Sequence, residues 1–317
     1  MVPETMLNSG HRMPLLGMGT AAYPLSSSQL VESAVTAAIE LGYRHFDTAS
    51  AYQSEPPLGR AISEALRTGM ISSRDELFVT TKLWPGHADP HLVVPALRDS
   101  LKALGLDYVD LYLIHFPGRF NLTETTFDVK KENVFPLDTQ GTWQAMEECC
   151  RLGLAKSIGV SNFSCKKLSQ VLDLATIPPA VNQVEMHPLW DQKRLREFCA
   201  EKGIHVSAYS PLGGKGAVWG SNAVLESEEI KQIAQAKGKS IAQICLRWAF
   251  EQGVSIIPKS FNKERLKENM EIFDWELSKD ELQMMSTLPQ NRIFSGDYLI
   301  SEDGPFKSVS DVWDGEI

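Results

Sequence analysis

Short apolar runs alternate with longer amphipathic stretches along the whole chain. The runs at 14–18, 43–47, 77–82, 109–115, 155–160, 180–184, 204–209 and 254–258 predict strands. Val109-Asp110-Leu111-Tyr112-Leu113-Ile114 and Val254-Ser255-Ile256-Ile257 are apolar enough to be covered on both faces, as parallel strands are. Helical periodicity lies between the runs, near 28–41, 57–69, 91–104, 139–152, 164–174, 191–202 and 225–251, with a further stretch near 262–271. Eight such β/α units predict a closed parallel barrel of the α/β class, a (β/α)8 TIM barrel, rather than an open sheet. One domain is expected over 1–317.

Some stretches fall outside the eight units. Residues 4–13, with Asn8-Ser9-Gly10 in the middle, predict an N-terminal β-hairpin. Residues 116–138 and 210–224 predict long loops after strands 4 and 7. Residues 289–317, after a helix at 278–287, lack strong periodicity and predict a C-terminal loop. Long loops in compact domains are usually functional or disordered.

The chain has 317 residues, a length normal for an eight-fold barrel with loop insertions. Its formal charge of −9 argues against a nucleic-acid or membrane partner, so an anionic ligand needs a local basic cluster. The five cysteines, Cys149, Cys150, Cys165, Cys199 and Cys245, are odd in number and form no C-x-x-C pair. Reduced thiols in a cytosolic, cytoplasmic protein are expected. The N-terminus lacks a signal pattern, and no apolar run reaches membrane-spanning length.

Weak motifs lose to simpler readings. Gly17-Met18-Gly19-Thr20-Ala21-Ala22 matches a dinucleotide fingerprint, but Pro24 and Ser26-Ser27-Ser28 follow where a helix would have to start. His87 and His91 have zinc-binding spacing, yet Pro90 disfavours a helix through them, and a metal is not expected. Gly213-Gly214-Lys215-Gly216 lacks full P-loop spacing and reads as a flexible loop, one that could close over part of a cofactor.

Four polar residues carry more information. Asp47, Lys82 and His115 close three successive strand runs, and Tyr52 lies just past the first of them. Strand C-termini are where parallel barrels place catalysis. A tyrosine is a poor acid near neutrality, and a nearby ammonium would lower its pKa. Lys82 held by Asp47 could do this, while His115 orients a substrate oxygen. The set suits protonation of a carbonyl oxygen as a hydride reaches carbon. Ser161, Asn162, Gln183 and Tyr209, on later strands, could bind a carboxamide and stack on a nicotinamide ring. Lys259, Ser260 and Arg265 would converge on an anion at a helix N-terminus.

Gly-Tyr-Arg-His-Phe-Asp-Thr-Ala at 42–49 with Tyr52, Thr-Lys-Leu-Trp at 81–84, Leu-Ile-His at 113–115, Gly-Val-Ser-Asn-Phe at 159–163, Asn-Gln-Val-Glu at 182–185 and the Pro-Lys-Ser…Arg…Glu-Asn run at 258–269 resemble the aldo-keto reductases over essentially the whole length. Met146-Glu147-Glu148-Cys149, the run Asn162 to Leu168 and Phe273 to Leu277 are most similar to a plant branch of that family. This branch includes codeinone, methylecgonone and chalcone reductases and deoxymugineic acid synthase, and belongs to specialised metabolism.

The resemblance implies a (β/α)8 barrel that binds NADPH/NADP+ without a Rossmann domain and reduces aldehydes or ketones. It implies a catalytic tetrad of Asp47, Tyr52, Lys82 and His115. Its cofactor contacts fall on Thr20, Ala21, Asp47, Ser161, Asn162, Gln183, Tyr209, Ser210 and Leu212, and beyond them on Lys259, Ser260, Asn262, Arg265, Glu268 and Asn269. Phe116 stands where many relatives carry tryptophan, and His187 where asparagine is common. Substrate contacts are expected from Tyr23, Tyr52, Trp84, His115, Phe116, Phe120 and Trp219, with Phe294, Tyr298 or Leu299 from the tail. A small-molecule carbonyl substrate and a monomer are expected. The alternatives are a cofactor-binding regulatory module with little turnover, or a dehydrogenase working in the oxidative direction.

Overall fold

Eight parallel strands wrap into a nearly closed barrel in the computed structural model. It describes residues 2–22, 24–121, 129–217, 220–302 and 304–317, and of Tyr298 the backbone only. The hairpin β1 (Glu4–Met6) and β2 (Arg12–Pro14) precedes the barrel strands β3 (Met18–Gly19), β4 (His45–Asp47), β5 (Phe78–Leu83) and β6 (Val109–Ile114). A second small hairpin follows, β7 (Arg119–Phe120) with β8 (Val134–Phe135). The barrel continues with β9 (Ala155–Ser161), β10 (Val181–Glu185), β11 (His205–Tyr209) and β12 (Ser255–Ile257). Parallel bridges Leu16–Ile256 and Gly19–Lys259 join its two ends.

The helices are α1 (Ser28–Leu41), α2 (Glu55–Thr68), α3 (Pro90–Leu104), α4 (Thr139–Arg151), α5 (Cys165–Leu172) and α6 (Lys193–Glu201), then α7 (Ala223–Glu226), α8 (Glu228–Lys237), α9 (Ile241–Glu251), α10 (Lys263–Met270), α11 (Lys279–Ser286) and α12 (Val309–Trp313). Their starts follow local chemistry. The hydroxyls of Ser27, Ser164, Ser227, Ser240 and Ser278 accept first-turn N–H groups, satisfying donors the helix leaves unpaired. Apolar faces such as Val31, Val35 and Ala38 of α1 pack on the outside of the strands and make the main core.

Several expected boundaries move. The long helix expected over 225–251 is α7, α8 and α9, because Gly238 closes α8 in the left-handed region and Ser240 caps α9 with a full capping box. The first strand, expected at 14–18, shifts later because Pro14 pairs in the hairpin. No helix follows Gly17 to Ala22; α1 begins only at Ser28. A Cβ on Gly17 would lie 2.9 Å from the His45 ring, so close packing explains that glycine. Pro90 does not break a helix but opens α3, where its missing N–H costs nothing. His87 lies before that helix, Asp89 pairs with Arg119 at 2.7 Å, and no metal-holding cluster occurs among the described residues. No described helix is long and apolar enough to cross a membrane.

A second, smaller apolar cluster gathers Trp84, Phe116, Phe120, Leu299, Phe306, Val312 and Trp313. Trp84 and Phe116 follow strands β5 and β6, so this cluster lies at the strand C-termini, with the C-terminal tail folded onto it.

Candidate active site

Lys82 occupies the C-terminal half of β5 with a side chain only 1% exposed. A buried ammonium needs a close counter-charge and further acceptors. Asp47, ending β4, supplies Oδ1 at 2.6 Å, and the Thr48 carbonyl accepts from the same Nζ at 2.9 Å. Burial still lowers the Lys82 pKa, against the opposing pull of Asp47.

Tyr52 is brought over this pair by a single 3-10 turn, Ser50–Tyr52, which directly follows β4 and closes on Gln53 in the left-handed region. Its hydroxyl lies 3.1 Å from His115 Nε2. His115 follows β6, and its backbone N–H donates to the Leu83 carbonyl at 3.1 Å. Burial, and secondarily the charge on Lys82, hold the His115 pKa well below its ordinary value, so the imidazole is neutral at neutral pH. Its Nδ1 is buried without a hydrogen-bond partner.

The Tyr52 phenol departs from the sequence expectation. Lys82 Nζ lies 5.0 Å from the Tyr52 ring centroid, over the ring face. Burial, followed by the Asp47 charge, pushes the phenol well above 10. In this state burial and the Asp47 charge dominate, and the phenol keeps its proton.

The later strand ends are tied to these residues by hydrogen bonds. Asn162 sits just past β9 at φ +66, a left-handed conformation that asparagine tolerates better than most residues. Its Nδ2 donates to the His115 carbonyl at 3.0 Å, and its Oδ1 accepts from the Tyr209 hydroxyl at 2.7 Å. Ser161 Oγ donates to the Gln183 carbonyl at 2.8 Å. Gln183 Nε2 donates to Asp47 Oδ2 at 2.8 Å, so both carboxylate oxygens of Asp47 are engaged.

One cavity of about 680 Å³ connects all of this. Tyr52, His115, Asn162, Gln183 and Tyr209 line it, and so do Lys259, Ser260, Arg265, Glu268 and Asn269 beyond the end of β12. Burial and then the neighbouring Arg265 charge lower the Lys259 pKa. Lys259 therefore meets a second cation there, an arrangement ready for an anion, with Glu268 in the same wall. Ala21, Asp47, Ser161, Ser210 and Leu212 also line the cavity, as do the aromatic side chains of Trp84, Phe116, Phe120 and Phe294. Trp84 meets the His115 ring edge-on at 6.0 Å and Phe120 at 5.6 Å.

Some expected contacts stand elsewhere. Thr20 is buried outside the cavity wall, its hydroxyl donating to the Asp47 carbonyl at 2.9 Å and lying 2.7 Å from Ser54 Oγ. Asn262 caps α10, its Oδ1 accepting from Arg265 N at 2.9 Å. Lys82 sits behind the wall. Leu299, expected at the substrate, is fully buried in the aromatic cluster and does not line the cavity. Tyr23, Trp219 and the Tyr298 side chain lie outside the described residues. The wall also includes Ala22, Ser26, Lys215 and Ala242, which sequence reasoning did not assign. For Lys215 the signal was present, since its glycine-rich loop follows a barrel strand. All five cysteines are free, and burial raises their thiols to about 11 or 12, which leaves no activated thiol nucleophile.

Residues 15–288 match the aldo/keto reductase family. The chain is 57% identical over 317 residues to a 7-acetyl-epi-neemfruitin B aldo-keto reductase of Melia azedarach, covering 100% of this chain and 98% of that protein. It is 52% identical over 313 residues to an NADPH-dependent codeinone reductase of Papaver somniferum, covering 99% and 98% respectively. A crystal structure of a Bombyx mori aldo-keto reductase in complex with NADP superposes with a TM-score of 0.84 at 38% identity, over 94% of this chain and 96% of that one.

Proposed function

The chain belongs to the aldo/keto reductase family, and on that premise we propose that it reduces an aldehyde or ketone to an alcohol with NADPH, Tyr52 giving the proton. The observation that carries this reading is the Tyr52–His115 pair, 3.1 Å apart over the Lys82–Asp47 ion pair, in the same cavity as Lys259 and Arg265.

The residues fit the cofactor. Two cations side by side suit the 2′-phosphate that distinguishes NADPH from NADH. Asn162, Gln183 and Tyr209 line the same cavity, and their amides and aromatic face suit a nicotinamide. When bound, NADPH supplies the hydride.

The chain's own residues handle the oxygen and its proton. His115, neutral at working pH, holds the substrate oxygen through Nε2 without competing as an acid. Tyr52 arrives protonated and transfers its hydroxyl proton to that oxygen as negative charge develops there. The phenolate left behind is stabilised by the Lys82 ammonium, which Asp47 and the Thr48 carbonyl hold in place. The aromatic wall selects a substrate with a largely apolar body around one carbonyl group.

NADPH consumption against a panel of aldehydes and ketones tests the reading. Tyr52→Phe removes the proton and keeps the ring. It should bind NADPH as the wild type does and lose turnover by about 100- to 10,000-fold. Wild-type turnover in the mutant would remove Tyr52 as the acid.

A further inference from the structure

Glu185 ends β10, two residues beyond Gln183, so strand alternation puts both side chains on one face. Gln183 uses that position to reach Asp47. Glu185 reaches a different target, and proton transfer to a carbonyl does not require it. Its Oε1 accepts from His187 Nε2 at 2.9 Å and from the Ile293 backbone N–H at 2.8 Å. Its Oε2 accepts from the Phe294 N–H at 2.8 Å. Burial pushes a carboxyl up, but the His187 bond and the two backbone donors outweigh it, and Glu185 sits below its ordinary value.

A carboxylate 1% exposed is costly to desolvate unless donors converge on it. Two of these donors belong to the C-terminal tail, 108 and 109 residues away in sequence. No strand occurs among the described residues of that tail. It is tied to the barrel by the Asn291 N–H, which donates to the Leu189 carbonyl at 2.6 Å, and near its end by Ser164 Oγ, which donates to Asp314 at 2.6 Å, and the Cys165 N–H, which donates to Glu316 Oε1 at 3.0 Å; within the tail Trp313 Nε1 donates to the Ser295 carbonyl at 2.7 Å. The Glu185 attachment lies between the first of these and the others. The residue it fixes, Phe294, lines the cavity, and its ring meets Trp313 edge-on at 6.0 Å. Trp313 in turn meets Phe116, another wall residue, at 6.1 Å.

We propose that Glu185 and His187 are positioning residues for substrate selection: together they clamp the Ile293 and Phe294 amides and so set where the Phe294 ring stands in the cavity wall. The clamp rests on the carbonyl-reductase reading of the same cavity. It gives a physical account of His187, whose ring is fully buried with Nε2 on Glu185. It also places the device on the strand that carries Gln183, so one rigid element positions both the Asp47 carboxylate and the substrate wall.

Glu185→Gln keeps the shape but turns one acceptor oxygen into a donor, leaving one of the incoming N–H groups unpaired. His187→Phe removes only the side-chain donor, while His187→Gln retains a donor at similar reach. Two measurements decide the matter, with NADPH affinity followed in each variant as a control. Amide hydrogen exchange over 290–296 should quicken about tenfold in Glu185→Gln and less in His187→Phe, with the barrel strands unaffected. The ratio of kcat/KM on bulky 2-tetralone to that on propanal should fall about tenfold, mainly through KM, and His187→Gln should recover most of it.

Unchanged tail exchange overturns the clamp. A loss shared equally by the two substrates, or one lying in NADPH affinity, overturns its role in selection. A wild-type protein that turns over no carbonyl compound sinks the reductase reading instead. The exchange data then still decide whether the clamp exists, and 2-tetralone affinity, read by tryptophan quenching, decides whether it shapes the cavity. If Glu185→Gln does not fold, His187→Phe against His187→Gln carries the same comparison.

Discussion

At the scale of residues, the proposed preference between nicotinamide cofactors rests on two side chains. Lys259 lies beside Arg265 in the cavity wall, so two positive charges face the same space. Removing either cation should therefore act on the charge difference between NADPH and NADH. Lys259→Ala or Arg265→Ala is expected to weaken NADPH by about 10- to 100-fold while NADH changes by no more than about threefold. Fluorescence titration with the two cofactors measures this, and equal weakening of both would remove the phosphate assignment. The same residues show what a sequence can reveal at this scale. Asp47, Lys82 and His115 were legible because each closes an apolar run, and a polar residue there has a known destination in a parallel barrel. Glu185 closes such a run too, yet its partners Ile293 and Phe294 lie in an aperiodic tail, and no local pattern links them. The state of Tyr52 was also hidden. Its pKa is raised by burial and then by the Asp47 charge, and a sequence shows no depth of burial.

Between elements, the spacing of helices behind the turn that carries Tyr52 rests on one glycine. Gly59 lies in α2, which begins three residues after Tyr52. A Cβ there would stand 2.1 Å from the backbone oxygen of Leu104, the last residue of α3. Backbone cannot swing aside as a side-chain tip can, so α2 and α3 would have to part. Gly59→Ala is expected to destabilise the protein by about 1–3 kcal/mol or more, as overpacked cores do. Gly118→Ala serves as the control, since its Cβ would meet only ordinary contacts at 3.6 Å and beyond. Thermal melts of the two variants test the contrast, and a Gly59→Ala melt matching the control would show that the helix pair has slack. The pattern that predicts these helices says nothing of how closely they approach. It did place the barrel strands to within a few residues, because strands covered on both sides read as continuous apolar runs. It missed the two-residue strands β7 and β8 and the five-residue α12, which are too short to show a period.

Across the whole molecule, the two ends of the barrel do different work. The strand C-termini carry the cavity, whereas the opposite end holds buried His45 and half-buried His205, which do not line it. His45 begins β4, with Nδ1 3.0 Å from the Pro14 carbonyl and Nε2 3.3 Å from Thr80 Oγ1. His205 begins β11, and its Nε2 accepts from the Ser255 N–H at 3.1 Å. Burial, and then the nearby His45, lower the His205 pKa from 6.5 to about 4. An unfolded chain protonates this residue near 6.5, so between that value and about 4 the unfolded state binds more protons and stability falls with acid. For His205 alone the loss amounts to about 3 kcal/mol by pH 4. His45 and His115, also lowered by burial, add in the same direction. Urea unfolding at pH 7.5, 6.5, 5.5 and 4.5 should show stability steady above 6.5 and falling below it. His205→Asn should flatten that fall without abolishing it, whatever its effect on stability at pH 7.5. An equal slope in the variant would mean that protonated His205 gains a hydrogen-bond acceptor in the fold when acidified. The neighbouring Pro14 carbonyl already fills that role for His45, and it would mark the hairpin end of the barrel as able to rearrange without unfolding.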